Sequence, residues 1–330
     1  MRIAVVILNW NGKTLLEAFL PSVIANSPEA TVYVADNAST DDSVSFLKAE
    51  FPHVKIIQNT TNGGYAKGYN DALKHLEEDI FCLVNSDIEV TKNWLTPVIE
   101  TFKAEENTAV IQPKILDFKK KTHFEYAGAA GGFIDKYGYP FCKGRLFNTV
   151  EEDEGQYNTI TEIFWASGAC FFIRKDTFNT LNGFDETFFA HMEEVDLCWR
   201  AFNLGYISKY VSSAVVYHVG GATLNASNPK KTYLNFRNSL ATLTKNANGN
   251  IFFLLFARLS LDGLAAFKFL IRLQFSHIFA IFNAHFSFYA RLPKLLKQRK
   301  ELTQNNTEYY KTKSILWSYF ASNKKHFTDL

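Results

Sequence analysis

Val5-Val6-Ile7-Leu8-Asn9-Trp10-Asn11-Gly12 is an apolar run that breaks abruptly into two amides, an indole and a glycine. A short continuous run of branched apolar residues fits a strand buried on both faces, as in a parallel sheet. The polar break then marks the strand's carboxyl end, which is where open α/β sheets bind ligands. The same pattern recurs downstream. Residues 3–8, 31–35, 54–57 and 80–84 read as strands, and between them residues 14–25, 42–50 and 66–76 carry apolar side chains at helical spacing. This alternation predicts an α/β fold, a doubly wound sheet with crossover helices.

The strand ends are polar. The second leads into Asp36-Asn37-Ala38-Ser39-Thr40 and the fourth into Asn85-Ser86-Asp87. A further cluster, Asn62-Gly63-Gly64-Tyr65-Ala66-Lys67-Gly68-Tyr69-Asn70, opens a helix whose amides could face an anion. With Asn9 and Asn11 these clusters predict one shared pocket on one sheet edge. The first strand lacks a GxGxxG turn, which sets aside a nicotinamide dehydrogenase.

Beyond residue 111 the pattern loosens, and loops with short strands are expected to about residue 150, then a solvated acidic loop over 151–154. An apolar segment, 163–173, is broken by Ser167-Gly168. A helix follows over 193–204, a strand over 210–217 and a helix over 233–246.

At 330 residues, 47% hydrophobic and 15% aromatic, the chain is a globular, enzyme-sized unit and not a disordered tail. Cys82, Cys142, Cys170 and Cys198 form no CxxC pair and are read as reduced thiols of a cytosolic protein. The N-terminal apolar run is too short for a signal-peptide core, so no export is expected.

The net charge of +2 hides an asymmetry: residues 248–330 hold 12 Lys and Arg against 4 Asp and Glu, and the preceding residues 23 against 29. A basic, aromatic-rich tail suits an anionic lipid surface, although a solvated basic face would look similar. Residues 251–292 are heavily apolar, but Arg258, Asp262, Lys268 and Arg272 interrupt them. Helices lying on a bilayer fit this better than a span, and a helical subdomain packed on the core or on a second subunit is the alternative. The expected division is a catalytic domain over 1–246 and a helical extension over 247–330, with no nucleic-acid partner.

Asp87 follows a buried strand, where a hard divalent cation bridging two phosphates needs a carboxylate; a turn-forming Asp would sit there too. Glu89 reaches the same ion if the chain stays extended. Asp36 suits the paired donors of a base or ribose, and an Asx turn would fix the same side chain. In Phe188-Phe189-Ala190-His191-Met192-Glu193-Glu194-Val195-Asp196-Leu197-Cys198-Trp199-Arg200, three carboxylates gather at a helix start, where the helix dipole favours their charged forms. Helical geometry puts Glu194 on the face of Leu197, Cys198 and Ala201, pointing inward, and lets Asp196 pair with Arg200. His218 ends a strand before Gly220-Gly221, placed to share a cation with Asp87.

In this order the motifs resemble family 2 glycosyltransferases of the GT-A fold, especially the rhamnosyltransferase-like bacterial branch. The resemblance spans residues 1–246 and adds Ser167-Gly168-Ala169 and Glu193-Glu194-Val195-Asp196-Leu197 to the strand ends and His218. It implies that Asn9, Asn11, Asp36, Asn62, Asn70, Asn85 and Ser86 serve the nucleotide, and that Asp87 and His218 hold Mg²⁺ or Mn²⁺. Asn85 stands where the family's metal motif has its first acid. The resemblance makes Glu194 the general base, with Asp196 and Glu193 open as alternatives, and Trp165, Ser167 and Gly168 the acceptor pocket. It further implies inverting transfer from a dTDP- or UDP-linked sugar, rhamnose foremost, to a saccharide or polyprenyl-linked acceptor in surface polysaccharide synthesis, by an enzyme peripheral on the inner face of the cell membrane. The competing class is a binding module of the same fold that has lost catalysis. A nucleotidyltransferase would share sheet and metal but would not need the acidic helix start.

Overall fold

The computed structural model describes residues 1–220 and 228–330, so Gly221 after His218 lies outside the described residues. The first half runs β1 (Ile3–Asn9), α1 (Lys13–Asn26), β2 (Ala30–Asp36), α2 (Ser43–Glu50), β3 (Lys55–Gln58), α3 (Gly64–Leu73), β4 (Ile80–Asn85), β5 (Ile88–Val90), α4 (Thr96–Ala104) and β6 (Thr108–Asp117). A small antiparallel sheet follows, of β7 (Gly132–Ile134), β8 (Pro140–Cys142), β9 (Arg145–Leu146) and β10 (Thr149–Val150). Then come β11 (Thr161–Ile163), β12 (Cys170–Arg174), α5 (Lys175–Thr180), α6 (Glu193–Asn203), β13 (Ile207–His218), α7 (Pro229–Asn246), α8 (Ile251–Ile271) and α9 (Phe275–Glu301).

The main sheet has the order β11-β13-β6-β12-β4-β1-β2-β3, with β5 paired to β13. Strands β3, β2, β1 and β4 are mutually parallel, whereas β12 runs against both β4 and β6, and β13 runs with β6. The ends of β1, β2, β4, β6 and β13 therefore open onto one edge, and the start of β12 opens there as well. The register is direct: Asn9 stands opposite Asp36, and Leu8 opposite Asn85.

The buried first strand divides its side chains between two cores, as its period of two requires. Ile3, Val5 and Ile7 pack with Leu16, Leu20, Val98 and Phe102 of α1 and α4. Ala4 and Val6 share a second core with Tyr69 of α3, Leu197 and Trp199 of α6, Leu240 and Leu243 of α7, Leu254 of α8 and Phe288 of α9. All four cysteines are buried free thiols.

The loop expected from residue 111 is corrected. Residues 111–117 belong to β6, a ten-residue strand in the middle of the sheet, whose polar and proline positions broke the apolar pattern. Gln112 spends its amide on the Gly128 carbonyl and the Ser167 N–H, and buried Lys114 pairs with Asp153 at 2.6 Å. Asp153 is thereby held and not free in a solvated loop.

Candidate active site

The nucleotide residues expected at the strand ends divide into a connected group and one outlier. Asn9 is fully buried and donates from Nδ2 to Asp36 Oδ1 at 3.1 Å and to Ser39 Oγ at 3.2 Å. The second Asp36 oxygen accepts the Ser39 N–H at 3.0 Å, so the Asx turn exists and fixes the carboxylate. Asn11, with a φ of 49°, ties the two strand ends by accepting the Thr40 N–H at 2.7 Å. Asn9 Oδ1 is buried and has no hydrogen-bond partner among the described residues. It lies against Gly12, where an added Cβ would sit 2.4 Å from it and 3.7 Å from Ser86 Oγ.

Asn62 joins this group through Asn37, whose Nδ2 donates to Asn62 Oδ1 at 3.0 Å. Asn37 was not singled out, although its place beside Asp36 on a polar strand end was the available signal. Two amides at the start of α3 are not free for an anion: Gly64 N donates to Asn62 Oδ1 and Tyr65 N to the Phe189 carbonyl. Asn70 stands apart. Its amide clips the backbone of Phe184, accepting from N and donating to O, both at 2.9 Å, so its polar atoms are spent on holding a loop.

Asp87 and His218 are brought together. His218 Nε2 lies 3.1 Å from Asp87 Oδ1, and both side chains are buried. The other ring nitrogen, Nδ1, lies 3.3 Å from Oε1 of buried Glu125, a residue that no motif singles out. Burial alone would lower the imidazole's affinity for a proton, but hydrogen bonding to Asp87 and Glu125 outweighs it and pushes His218 up to about 10. Glu89 does not join them, because it pairs with Lys121 across the edge. Once the Nε2 proton is displaced, the donor set fits a hard divalent ion: one carboxylate and one imidazole backed by a second carboxylate, with remaining positions left for phosphate oxygens and water. Among the described residues no group of three or more potential ligands is arranged as a closed metal cage.

The acids of α6 resolve differently from helical-wheel reasoning. Nine of the helix's eleven residues are buried, Glu193 and Asp196 among them, and Glu194 is the acid left half-buried. The outward place expected for Asp196 is covered by α7. Its carboxylate bonds Arg200 Nε at 2.9 Å, as the i,i+4 spacing predicts, and also Lys245 Nζ and Asn246 Nδ2 at 2.8 Å. Its charge is matched and both oxygens are engaged. Burial raises the Glu193 carboxyl well above its ordinary range, the charge of Glu194 adds to this, and Glu193 Oε2 has no hydrogen-bond partner among the described residues. Burial also pushes Glu194 up to about 7.

The entry into α6 explains how these acids are aimed. His191 and Met192 both have positive φ, 70° and 74°, a conformation that side chains with a Cβ adopt at a cost. Asn238 of α7 holds this turn by donating to the carbonyls of Ala190 and His191 at 2.9 and 2.8 Å.

The residues expected around the acceptor are mixed. Trp165 is buried, its indole donates to the Phe133 carbonyl at 2.7 Å, and its ring lies on Gly132, so the ring is not open to an acceptor. Ser167 is buried as well and donates to the Ala127 carbonyl at 2.6 Å. Gly168 is only partly buried and lies beside Tyr65 and Glu194. A Cβ there would sit 3.2 Å from Tyr65 Oη and 3.7 Å from Glu194 Cδ, and its carbonyl accepts the Tyr65 hydroxyl at 2.8 Å. The next residue, Ala169, accepts the Asn85 N–H at 2.9 Å. Glu194 therefore opens on the same edge as Asn85, Ser86 and Asp87.

The model of glycosyl transferase family 2 matches residues 4–181. The N-acetylglucosaminyl-diphospho-decaprenol L-rhamnosyltransferase of Mycobacterium tuberculosis is 27% identical over 65% of this chain and 75% of its own. The rhamnosyltransferase WbbL of Escherichia coli is 21% identical over 65% of this chain and 82% of its own. The mannosyltransferase PcManGT of Pyrobaculum calidifontis, solved with GDP-Man and Mn²⁺, superposes with a TM-score of 0.56 at 12% identity, over 87% of each chain, and so shares the fold. The chain belongs to glycosyl transferase family 2, in its rhamnosyltransferase-like branch with the GT-A fold, and is a glycosyltransferase.

Proposed function

We propose that the chain transfers a sugar from a nucleotide diphosphate donor to an acceptor hydroxyl with inversion at the anomeric carbon, and that Glu194 is the general base. The observation that carries this reading is the placement of a half-buried carboxylate beside Gly168, on the edge where Asp36 ends β2 and Asp87 follows the end of β4. Asn9, Asn11, Asp36 and Asn62 would receive the nucleoside, with Asn85 and Ser86 beside the diphosphate. Asp87 and His218 would hold Mg²⁺ or Mn²⁺, whose charge favours departure of the nucleoside diphosphate. Glu125 keeps the His218 ring oriented. Glu194 takes the proton of the acceptor hydroxyl as that oxygen attacks the anomeric carbon and the bond to the diphosphate breaks. An acid pushed up to about 7 is a stronger base than an ordinary carboxylate and is still largely ionised slightly above neutrality. Asp196, ion-paired on both oxygens, instead supports the helix that carries Glu194.

The mycobacterial relative is by name an L-rhamnosyltransferase acting on a polyprenyl diphosphate saccharide. It favours dTDP-rhamnose as donor, ahead of UDP-linked hexoses, and a polyprenyl-linked saccharide as acceptor in surface polysaccharide synthesis at the inner face of the cell membrane. The test is consumption of a panel of dTDP-, UDP- and GDP-sugars by purified protein with Mg²⁺, Mn²⁺ or chelator. The expected result is turnover of one donor, lost with chelator; no turnover of any donor with either metal would contradict the reading.

A further inference from the structure

Helices α8 and α9 are apolar on both sides: Leu254, Leu255, Ile281 and Phe288 pack inward, and a second set of large apolar residues faces outward. On a helix bordered by water the apolar stripe faces the core and the charged residues face solvent. In α8 the buried face holds the Arg258–Asp262 pair, 2.9 Å apart, with Tyr139 Oη donating to Asp262 Oδ1 at 2.7 Å and Arg258 reaching Ser239 Oγ at 2.7 Å. In α9 the inner side holds His277 against Thr232 at 2.8 Å and His285 against Asp262 at 3.3 Å. The outer faces carry the large apolar residues: Phe253, Phe256, Leu264, Phe267 and Ile271 on α8, and Phe275, Phe279, Phe282 and Phe286 on α9. The α9 positions recur at three- and four-residue steps as one stripe, and those of α8 follow the same spacing with exposed Ser260 between Phe256 and Leu264. Phe256 is 73% exposed and Phe286 70%.

The exposed charges near the stripes are basic except for Glu301 at the end of α9, which lies 3.9 Å from Lys297. Lys268 and Arg272 stand at the end of α8, and Lys294, Lys297 and Lys300 stand along the last turns of α9, all exposed. Lys297 and Lys300 prolong the phenylalanine stripe of α9 at helical spacing. Asp262 is the one acid between Ile251 and Lys300, and it is buried and paired. Beside this face, exposed Trp317 and Phe320 add aromatic surface, with Lys268 Nζ 5.0 Å from the Phe320 ring.

We propose that the outer face of the α8–α9 hairpin docks on an anionic lipid bilayer, with the phenylalanines entering the acyl boundary and the lysines meeting the headgroups. The charge pattern selects this occupant. A second copy on the same face would bring two predominantly basic surfaces together, five lysines and arginines against Glu301 on each, and like charges across an apolar contact oppose association. An anionic headgroup layer complements them. No helix among the described residues is long and apolar enough to cross a membrane, so the hairpin lies on the surface. The inner side of α9 also touches the loop leading to α6, where Arg291 donates to the Thr187 carbonyl at 3.4 Å, so the docking element abuts the acidic helix.

This proposal stands on binding alone and does not depend on which sugar is moved. The experiment is cosedimentation of the full chain with vesicles of phosphatidylglycerol and phosphatidylcholine, or of phosphatidylcholine only, for wild type, Phe279→Glu with Phe282→Glu, and Lys294→Gln with Lys297→Gln and Lys300→Gln. The expected result is binding to the anionic vesicles, a tenfold or greater loss for the phenylalanine variant, and a smaller, salt-dependent loss for the lysine variant. The substituted positions face solvent, so unchanged circular-dichroism melting of either variant is expected, and the lysine variant keeps the proposal testable if the other fails to fold. Absence of wild-type binding, binding by the variants equal to wild type, equal binding to neutral vesicles, or a wild-type dimer that the phenylalanine variant dissolves would each overturn it.

Discussion

Helices α6 and α8 each bury an acid and an arginine four residues apart, and the two pairs have the same separation, 2.9 Å. Around the Asp196–Arg200 pair of α6 the rest of the helix is also buried, among Val195, Leu197 and Trp199, and only Glu194 and Phe202 retain substantial access. Around the Arg258–Asp262 pair of α8 the opposite face shows Phe253, Phe256 and Phe267 to solvent. In α6 the ion pair sits in a wall that leaves one acid free for the cleft; in α8 it fastens a helix whose outer face is too apolar to be finished by water. A buried pair therefore says that a helix is fixed, and the character of its other faces says what surrounds it.

Substitutions inside and outside these helices separate the two cases. The largest effect on folding is expected for Lys245→Met, which leaves Asp185 and Asp196 without the ammonium that both contact within 2.8 Å. Stripping one partner from a buried ion pair costs about 3–5 kcal/mol, readable in urea unfolding. Little change would mean that α7 does not secure α6 through this group. On α8, Phe256→Glu is expected to leave stability within about 0.5 kcal/mol, as for most surface substitutions. A loss comparable to that of Lys245→Met would mean that the outer stripe is packed and not open.

A smaller effect belongs to pH. Glu194 is pushed up to about 7 from an ordinary 4.5, so the folded state retains a proton that the unfolded chain has released. Its contribution to stability is fully present below about 4.5 and is lost as pH rises through about 7, while the fraction able to act as base grows over the same range. The transfer rate should therefore climb toward a plateau above pH 7, and a flat profile from pH 6 to 8 would contradict the assignment. An intermediate effect is expected for Asn238→Ala, which removes two hydrogen bonds to the turn before α6. A net cost of roughly 1–3 kcal/mol follows, with turnover falling more than donor affinity.

Much of this was legible in the sequence because it is local. Strand ends at Asn9, Asp36 and Asn85 follow from an apolar run stopping at a polar residue, and the i,i+4 spacing of Asp196 and Arg200 foretold their contact. What escaped reading depends on residues far apart in the chain. Glu125 meets His218 only when β6 and β13 are brought together, and Asp196 is covered only by Lys245 and Asn246 of α7. Strand β6 was lost because Gln112, Pro113 and Lys114 look like a loop until their partners in the 128 and 153 regions are known. The burial of Trp165 is likewise not local, because it depends on Gly132 lying against its ring.

The most direct test of the central claim is transfer by Glu194→Gln, measured beside donor affinity by calorimetry, with the sugar donor identified from the panel. The account predicts unchanged donor affinity with transfer slowed by about a thousandfold, within the span of general-base catalysis, because Gln keeps the shape and loses the basic oxygen. Transfer within a few fold of wild type would contradict it and remove Glu194 from the chemistry.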